Sequence, residues 1–484
     1  MGNAPPPEDM AQEPINLMRG WPNPSLLPAD LIKTAANAAL SDPSMAQPGL
    51  LYGPDEGYEP CREAIANWLT AFYQPSKPIT ANRICMSGGA SQNLGCMLST
   101  FSDPAYTRHI WIVAPAYMLA FRVFEQDGGF AGRLRAVPED EEGIDIAYLR
   151  DELRKSEMMG QAEEKAKGMT TAAAAEEPRY KPSRPWAKVY KHVIYCVPTF
   201  ANPSSRTMSL RRRQRLVRLA REYDALLVAD DVYDFLQWPA KPSGQSAPHG
   251  GWEAMGTAHL PRLVDVDREI DGGTERPGAD GFGNACSNGS FSKIGGPGLR
   301  CGWVEGSEKF AYGVSQTGTT CSGGAPSQLT STYMTLLLTS GQLDKHIQNV
   351  LRPTYARRYN KLINAITTHL LPLGFQLPQP DRDVVGGYFV WLKLPRQMTA
   401  TALASACKRE GVVIAPGTIF EVPGDRETAD FDGHMRLCFA WEEEGKLEEG
   451  VVRVASVVRE MQGAMGSSDD SLREQGGVDM SGFK

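Results

Sequence analysis

A lysine surrounded by small and hydroxylic residues lies past the middle of the chain, and an arginine follows it in a glycine-rich turn. The lysine is Lys293, preceded by Ser290 and Ser292, and the arginine is Arg300. A lysine amine is nucleophilic only when part of it is unprotonated, which a nearby cation favours. Hydroxyl groups and an arginine suit a phosphate. The segment therefore favours a Schiff base between Lys293 and an aldehyde that bears a phosphate group.

Pyridoxal 5′-phosphate (PLP) combines an aldehyde, a flat ring and a phosphate, and enzymes carry it on a lysine. The small neighbours of Lys293 leave room for such a ring. An exposed lysine in a serine- and glycine-rich loop explains these residues equally well when they are taken alone, because short motifs are hypotheses. The elements that would surround the lysine decide between the two interpretations.

A glycine-rich turn after an apolar segment is a second candidate phosphate site. The apolar residues 84–86 run into Ser87-Gly88-Gly89-Ala90-Ser91-Gln92, where a helix is expected to begin. The amides of a helix N-terminus point outward and carry partial positive charge, so they can hold a phosphate. A plain helix cap is the alternative interpretation.

Polar or aromatic residues follow three further strand candidates. Tyr117 follows residues 109–114, Asn202 follows residues 189–197, and Asp230 and Asp231 follow residues 225–229. Ligands collect at the carboxyl ends of the strands in open α/β sheets. An aromatic ring there can stack on a ligand ring, and a carboxylate can pair with a pyridinium nitrogen. The alternatives are a core aromatic residue and acids that cap a turn.

One arginine lies among the apolar residues of a later strand candidate. It is Arg436 in residues 434–440. A buried arginine needs a partner. The carboxylate of a substrate and a structural acid are equally compatible with this pattern.

The composition restricts the class of protein. The 484 residues carry a net charge of −7, which argues against a nucleic-acid partner. The chain contains no run of about 18 apolar residues, so no membrane span is expected. The nine cysteines form no CxxC pair, and the seven histidines show no metal-ligand spacing. Scattered cysteines without a secretory signal indicate a reducing compartment, and a cytoplasmic protein is expected.

Taken together, these motifs resemble the class I/II PLP-dependent aminotransferases of fold type I. The resemblance is to the branch with 2-aminoadipate and kynurenine aminotransferases and the aminotransferase-like domains of MocR regulators, and it covers roughly residues 15–460. It rests on the order and spacing of the 87–92 turn, Tyr117, Asn202-Pro203, Asp230-x-x-Tyr233, Ser290-x-Ser292-Lys293, Arg300 and Arg436.

The resemblance implies roles for individual residues. Lys293 is expected to carry PLP and to move a proton, while Asp230 pairs with the pyridine nitrogen. Tyr233 and Asn202 are expected to bind the 3′-oxygen of the ring and Tyr117 to stack on it. The phosphate is assigned to Gly89, Ala90, Ser91, Gln92, Ser290, Ser292 and Arg300. The substrate is assigned to Gly20, Tyr52, Asn202 and Arg436, with Arg436 on the α-carboxylate and Tyr52 contributed by the other subunit of a homodimer.

The fold implied by the resemblance is α/β, with two domains. We expect a disordered N-terminus (1–14), an N-terminal arm (15–48), a large PLP-binding domain (49–342), a smaller α+β domain (343–462) and a disordered tail (463–484). The large domain should contain a mostly parallel seven-stranded sheet. Insertions are expected near 155–185 and 265–288, where the composition departs from the pattern of strands and helices.

The predicted activity is transfer of an amino group between an L-amino acid and a 2-oxo acid, by a ping-pong mechanism through pyridoxamine phosphate. A PLP-dependent lyase, or another non-transaminating enzyme on the same scaffold, is the alternative, because the residues nearest the cofactor do not distinguish the reactions. A non-catalytic ligand-sensing regulator is the alternative from another class. It is disfavoured because the chain starts almost directly at the arm.

Overall fold

In a computed structural model of the protein, residues 13–166, 179–240, 256–377 and 383–466 are described, and eight strands form one central sheet. In chain order the strands are β1 (Ile15–Asn16), β2 (Ile84–Ser87), β3 (His109–Ala114), β4 (Leu134–Asp140), β5 (Gly143–Ile144), β6 (His192–Cys196), β7 (Ala225–Asp230), β8 (Gln237–Pro239), β9 (Ala285–Ser290), β10 (Gly302–Glu305), β11 (Val384–Gly386), β12 (Phe389–Lys393), β13 (Val412–Val413), β14 (Ala415–Pro416) and β15 (His434–Cys438).

Helices connect most of these strands. They are α1 (Ala29–Ser41), α2 (Pro43–Leu50), α3 (Glu59–Tyr73), α4 (Ala90–Phe101), α5 (Leu119–Arg122), α6 (Ile146–Ala166), α7 (Leu210–Glu222), α8 (Leu263–Glu269), α9 (Glu308–Ser315), α10 (Gly318–Cys321), α11 (Gln328–Thr339), α12 (Gln342–His346), α13 (Arg352–His369), α14 (Ala400–Arg409) and α15 (Glu444–Gly466). The four-residue helix α5 continues directly into a π-helical segment, Val123–Asp127.

The central sheet has the strand order β2-β10-β9-β7-β6-β3-β4-β5. β10 runs antiparallel to both of its neighbours, and β5 forms a short antiparallel hairpin with β4. The remaining pairs are parallel. The prediction of a mostly parallel sheet is confirmed, and the two-residue strand β5 adds an eighth strand at the edge of the predicted seven.

Apolar runs explain most of the sheet. All residues of β6 and β7 are buried, as expected for parallel strands that are covered by helices on both faces. One apolar cluster on the sheet includes Phe101, Phe124 and Phe310, and another includes Leu216 and Val217 of α7. Burial on both faces fixes the register of these strands, so the residues that follow their carboxyl ends meet at one edge.

The region 265–288, expected to be a loop insertion, instead contains most of α8 and the start of β9. Strand β9 has the sequence Ala-Cys-Ser-Asn-Gly-Ser, and every one of its residues is buried. It lies between β7 and β10, near the middle of the sheet. Small and polar residues carry no hydrophobic periodicity, so the composition of this segment concealed a central strand.

The expected insertion near 155–185 begins as helix α6, which continues to Ala166. Residues 167–178 lie outside the described part of the chain. Beyond them, the Lys181 ammonium donates to the carbonyl oxygens of Leu98 and Ser102, at 3.0 and 2.5 Å. The end of this segment is therefore attached to the C-terminal end of α4.

The C-terminal region contains a separate three-stranded antiparallel sheet with the order β12-β15-β14. Helices α13 and α15 pack against each other within one apolar cluster, which includes Leu362 and Val454. Strand β1 of the N-terminal arm pairs with β13, so the arm is joined to this region. The expected disordered ends are largely outside the described residues, although α15 reaches Gly466.

Helix α7 begins with a basic run, and part of that run is buried. Residues 211–215 include four arginines, yet Arg213 is 0% exposed and Arg212 is also buried. The Arg213 guanidinium donates to the carbonyl oxygen of Pro198 at 3.0 Å and to the hydroxyl of Thr199 at 2.9 Å. Long-range acceptors satisfy its donors, which the local charge pattern does not reveal. Among the described helices, none is long and apolar enough to span a bilayer.

Candidate active site

A pocket lies at the carboxyl ends of the central strands, beside the turn that follows β9. Most of the predicted site residues line it, although they come from seven different segments of the chain. The predicted residues in its wall are Gly20, Ala90, Ser91, Tyr117, Asn202, Asp230, Tyr233, Ser290, Ser292, Lys293, Arg300 and Arg436. Three predicted residues, Gly89, Gln92 and Tyr52, are not part of this wall.

Lys293 ends a short 3₁₀ turn (Phe291–Lys293) directly after β9. Its ammonium donates to the carbonyl oxygen of Gly20 at 2.9 Å. Burial lowers the pKa of the lysine to about 8, Cys438 and Asp230 oppose this change, and Arg436 adds to it. A lysine with a pKa near neutrality has a substantial unprotonated fraction, as a nucleophile or a base requires.

Asp230 is the last residue of β7, and its carboxylate is buried. The Tyr195 hydroxyl donates to Oδ2 at 2.9 Å, whereas Oδ1 has no hydrogen-bond partner among the described residues. Burial raises the pKa of this carboxyl to about 6, while Tyr195 and Lys293 act in the opposite direction. A buried oxygen without a donor is costly, so this site suits a ligand that supplies a proton or a positive charge.

The turn before α4 forms one end of the pocket. Gly89 caps the helix with φ +103°, a conformation that side chains rarely allow, and a Cβ there would lie 3.2 Å from Nη2 of Arg300. The Ser290 hydroxyl accepts from the Ser292 amide at 3.1 Å. Helix amides, two serine hydroxyls and an arginine thus surround one end of the pocket, a donor set that suits a phosphate.

Gln92 points away from the pocket. Its Oε1 accepts from the amide of Gly88 at 3.0 Å, and its Nε2 donates to the sulfur of Cys96. Gln92 therefore closes the turn from within, and Gly89 contributes the turn conformation. Both residues shape this end of the pocket, while neither lines it.

Arg436 of β15 also lines the pocket and is 1% exposed. Its Nη1 donates to Oδ1 of Asn202 at 2.7 Å, and its Nη2 donates to the carbonyl oxygen of Met18. The guanidinium lies 3.9 Å from the ring centroid of Phe389 and 4.9 Å from that of Phe420. Burial lowers its pKa to about 10, which leaves it a cation at neutral pH. A buried guanidinium suits a carboxylate ligand, because its planar fork can donate two parallel hydrogen bonds to the two carboxylate oxygens.

Two tyrosine rings, those of Tyr117 and Tyr233, also line the pocket. Tyr117 lines the pocket, and burial raises its pKa to about 12. The ring centroid of Tyr233 is 5.8 Å from Nζ of Lys293. Both hydroxyls are therefore protonated at neutral pH and are potential donors.

Tyr52 is 90% exposed and lies outside the pocket of its own chain. The neighbouring Leu50 and Leu51 are 66% and 68% exposed. These three residues form a cluster of large exposed side chains at the end of α2. Contiguous exposed apolar patches commonly mark an interface with another protein.

Several residues at the site were missed by the sequence reasoning. Tyr195 in β6 supports Asp230, and Trp21, Leu119 and Phe389 form apolar parts of the pocket wall. Tyr195 precedes the end of its strand and reads as an ordinary core residue. Trp21 directly follows Gly20, which was predicted to bind the substrate. This adjacency in the sequence is the signal that could have placed Trp21 at the site.

Comparisons with known proteins agree with this geometry. Residues 23–454 match the family described as Aminotransferase class I and II. The uncharacterized protein YER152C of Saccharomyces cerevisiae is 32% identical over 93% of this chain and 98% of its own length. The aromatic-amino-acid aminotransferase 1 of Thermococcus litoralis is 26% identical over 92% of this chain and 88% of its own length.

A solved structure shows the same fold. The kynurenine aminotransferase of Pyrococcus horikoshii has a TM-score of 0.69 and 26% identity, and the match covers 93% of this chain and 92% of that one. The protein belongs to the class I and II aminotransferases. It is a PLP-dependent enzyme of fold type I that moves an amino group between an amino acid and a 2-oxo acid.

The residues of the pocket fit PLP. No residue in the described ranges donates to the buried Oδ1 of Asp230, and a protonated pyridine nitrogen would supply a donor. Gly89 leaves space beside Arg300 that a Cβ would narrow. A half-buried lysine with a lowered pKa lines the same pocket. The ring nitrogen, the aldehyde and the phosphate of PLP thus each have a chemically suitable group in the pocket.

Proposed function

We propose that Lys293 carries the cofactor and is the base that moves the proton in transamination, with Asp230 on the pyridine nitrogen. One observation carries this proposal. Lys293 and Asp230 line the same pocket, and within the described part of the chain Oδ1 of Asp230 has no hydrogen-bond partner. These are the two groups that PLP chemistry needs, an amine that can be nucleophilic and a carboxylate that keeps the ring nitrogen protonated.

PLP, when bound, supplies the carrier for the amino group and an acceptor for electrons from the substrate. Ser290, Ser292 and Arg300, with the α4 amides, are proposed to hold its phosphate, Tyr117 to stack on its ring, and Tyr233 and Asn202 to donate to its 3′-oxygen. Arg436 is proposed to hold the α-carboxylate of the substrate. With that carboxylate fixed, Nζ of Lys293 would take the proton from the substrate Cα and pass it to the carbon of the cofactor aldehyde, so that the amino group stays with the cofactor. Because the amino acid and the 2-oxo acid share a carboxylate, one arginine serves both.

We further propose that the preferred amino donors have large apolar or aromatic side chains. The pocket wall supports this through Trp21, Pro22, Leu119 and Phe389, which are apolar and lie near the arm residue Gly20. Two relatives with aromatic substrates in their names, an aromatic-amino-acid and a kynurenine aminotransferase, add support. A donor screen with phenylalanine, tyrosine, leucine and 2-aminoadipate, using 2-oxoglutarate as acceptor, tests this. Preference for 2-aminoadipate would overturn it.

A homodimer is proposed in which Tyr52 enters the pocket of the other subunit. The exposed cluster of Leu50, Leu51 and Tyr52 supports this arrangement. We also propose a cytoplasmic location. All nine cysteines are free thiols, and eight of them are buried, as in proteins that remain in a reducing compartment.

The role of Lys293 is tested by borohydride reduction of the cofactor-loaded enzyme, followed by proteolysis and mass spectrometry. We expect the pyridoxyl group on Lys293. Lys293→Ala, treated in the same way, should yield no modified lysine. A modification at any other lysine of the native enzyme would refute the assignment.

The type of reaction is tested by a single turnover with a good amino donor and no acceptor. Transamination should release one 2-oxo acid for each active site and then stop. Continued turnover with release of ammonia or carbon dioxide would indicate the lyase or decarboxylase alternative.

A further inference from the structure

Two buried tyrosine hydroxyls form a short chain that ends on the backbone of Lys293. The Tyr388 hydroxyl donates to the carbonyl oxygen of Lys293 at 3.0 Å, and the hydroxyl oxygens of Tyr388 and Tyr355 are 3.2 Å apart. A hydroxyl has one proton, and that of Tyr388 is directed to Lys293, so Tyr355 is the donor in the second bond. Both tyrosines are 0% exposed.

The ring of Tyr388 also faces the side chain of the same lysine. The Nζ of Lys293 is 5.2 Å from the centroid of Tyr388 and 5.8 Å from that of Tyr233. A cation within about 6 Å of an aromatic centroid is attracted by the negative face of the ring. Tyr388 therefore contacts Lys293 twice, at the backbone through its hydroxyl and at the amine through its ring.

The position of Tyr388 is set by close backbone packing. A Cβ at Gly386 would lie 2.2 Å from the carbonyl oxygen of Leu236, so the chain before Tyr388 lies directly against the segment that follows β7. The Gly387 amide donates to that same oxygen at 3.0 Å, and the Phe439 amide donates to the backbone carbonyl oxygen of Tyr388 at 3.0 Å. The segments that fix Tyr388 are thus continuous with those that carry Tyr233 and Arg436.

We propose that Tyr388, supported by Tyr355, is a positioning residue that holds Lys293 in place for proton transfer. Its hydroxyl fixes the lysine backbone, and its ring stabilises the protonated amine. The proposal rests on the proposed function of Lys293 as the cofactor-bearing lysine, and it adds residues that have no direct part in the chemistry.

Other groups also act on the lysine amine. Burial and Arg436 lower its pKa, whereas Cys438 and Asp230 raise it. Burial raises the pKa of Tyr233 and of Tyr388 well above the ordinary value, so neither ring carries charge at neutral pH. The two rings therefore act on the amine only through their faces. Substitution of Tyr388 tests the effect of its ring, because the charged groups stay in place.

The first test uses the cofactor-free protein. Reaction of Lys293 with an amine-directed acylating reagent is followed across pH by mass spectrometry of the digest. Tyr388→Phe keeps the ring face, whereas Tyr388→Leu removes it. The apparent pKa of Lys293 in the leucine variant should therefore be about half a pH unit lower than in the phenylalanine variant. Identical pH profiles for the two variants would overturn the effect of the ring.

The second test uses the cofactor-loaded enzyme and isolates the hydroxyl. Tyr388→Phe should lower kcat about tenfold, because a misplaced base reacts slowly, while KM for the amino donor changes less than about twofold. Tyr190→Phe is the matched control, since the Tyr190 hydroxyl also donates to a buried backbone oxygen, that of Gly283 at 2.5 Å, and the residue does not line the pocket. The control should keep kcat even if its melting temperature falls.

The outcomes separate the two proposals. An unchanged kcat in Tyr388→Phe, or an equal loss of kcat in Tyr190→Phe, would overturn the positioning role of Tyr388. The proposed function would stand in that case if borohydride still labels Lys293. Labelling of a different lysine would overturn the proposed function, whatever the Tyr388 variants do.

Discussion

Burial shifts the pKa values of the ionisable side chains at this site. Asp230 has a folded-state pKa of about 6, raised mainly by burial, against an ordinary value of 3.8. In the folded protein without ligand, this carboxyl is therefore mainly protonated below about pH 6 and mainly charged above it. As pH rises from about 4 to 6, the unfolded chain releases this proton first, and the carboxyl lowers the stability of the folded state. Above pH 6 the penalty is constant.

Asp230→Asn should consequently raise stability and lower activity. In the cofactor-free protein at pH 8, the free energy of unfolding should increase by up to roughly 3 kcal/mol, because the buried charge is removed. At pH 4 the gain should vanish. Denaturant titrations at the two pH values measure the difference, and a gain that is equal at both would contradict the buried charge.

The same substitution should reduce turnover of the loaded enzyme about 100-fold or more, because an amide cannot stabilise a protonated ring nitrogen as a carboxylate does. Asp231→Asn is the comparison, since Asp231 is also buried but does not line the pocket. Its carboxylate accepts from the Ser287 hydroxyl at 2.6 Å. A greater loss of turnover at Asp231 than at Asp230 would reverse the assignment.

Arg436→Lys should impair both half-reactions together. Lysine keeps the charge but loses the planar fork that donates to Asn202 and to a carboxylate. The kcat/KM values for the amino donor and for the 2-oxo acid should each fall roughly 10- to 100-fold, the value of one charge-assisted hydrogen bond. Steady-state kinetics with each substrate varied in turn measures both. A loss for one substrate alone would indicate that they bind to different groups.

At the scale of secondary-structure elements, the proposed phosphate site depends on the start of α4. Gly89 adopts φ +103° there, so Gly89→Ala costs roughly 1–3 kcal/mol of strain at the point where the amides must converge. The dissociation constant for PLP should rise about tenfold or more. A titration of the cofactor-free protein with PLP measures this constant.

Gly95→Ala in the same helix is the control for that substitution. A Cβ at Gly95 would meet no atom within 4 Å, and the residue lies in the helix interior. Alanine there should stabilise the protein by roughly 0.5–1 kcal/mol and leave PLP affinity unchanged. Weaker PLP binding in both variants would mean that the helix as a whole, and not its first turn, was disturbed.

At the scale of the whole molecule, the proposed dimer places Tyr52 at a second pocket. Leu51→Glu introduces a charge into the exposed cluster at the end of α2, where Leu51 is 68% exposed. Light scattering should then give a mass near 52.9 kDa instead of twice that value, and activity should fall with it. Met158→Glu on α6, where the side chain is 63% exposed, is the matched control and should remain dimeric. A monomeric native protein with full activity would contradict the proposal.

The sequence by itself determined the elements that carry the site. Apolar runs predict β3, β6 and β7, and the residues that follow them, Tyr117, Asn202 and Asp230, were identified because parallel strands end at one edge of a sheet. Turn chemistry predicted the start of α4, and Lys293 with its serine neighbours and Arg300 favoured an aldehyde that bears a phosphate. The resemblance of the whole set of motifs to class I/II aminotransferases then indicated PLP. Each of these signals is local, since it depends on side-chain periodicity or on a turn that a few residues define.

The tertiary structure alone decided which distant side chains meet. The bond between Arg436 and Asn202 joins residues 234 positions apart, and that between Tyr388 and Lys293 joins residues 95 positions apart. Only strand order and register bring such groups together. The same holds for β9, which is central because its neighbours bury it although its own residues are small and polar. Burial, which lowers the pKa of Lys293 and raises that of Asp230, is likewise a property of the packed chain.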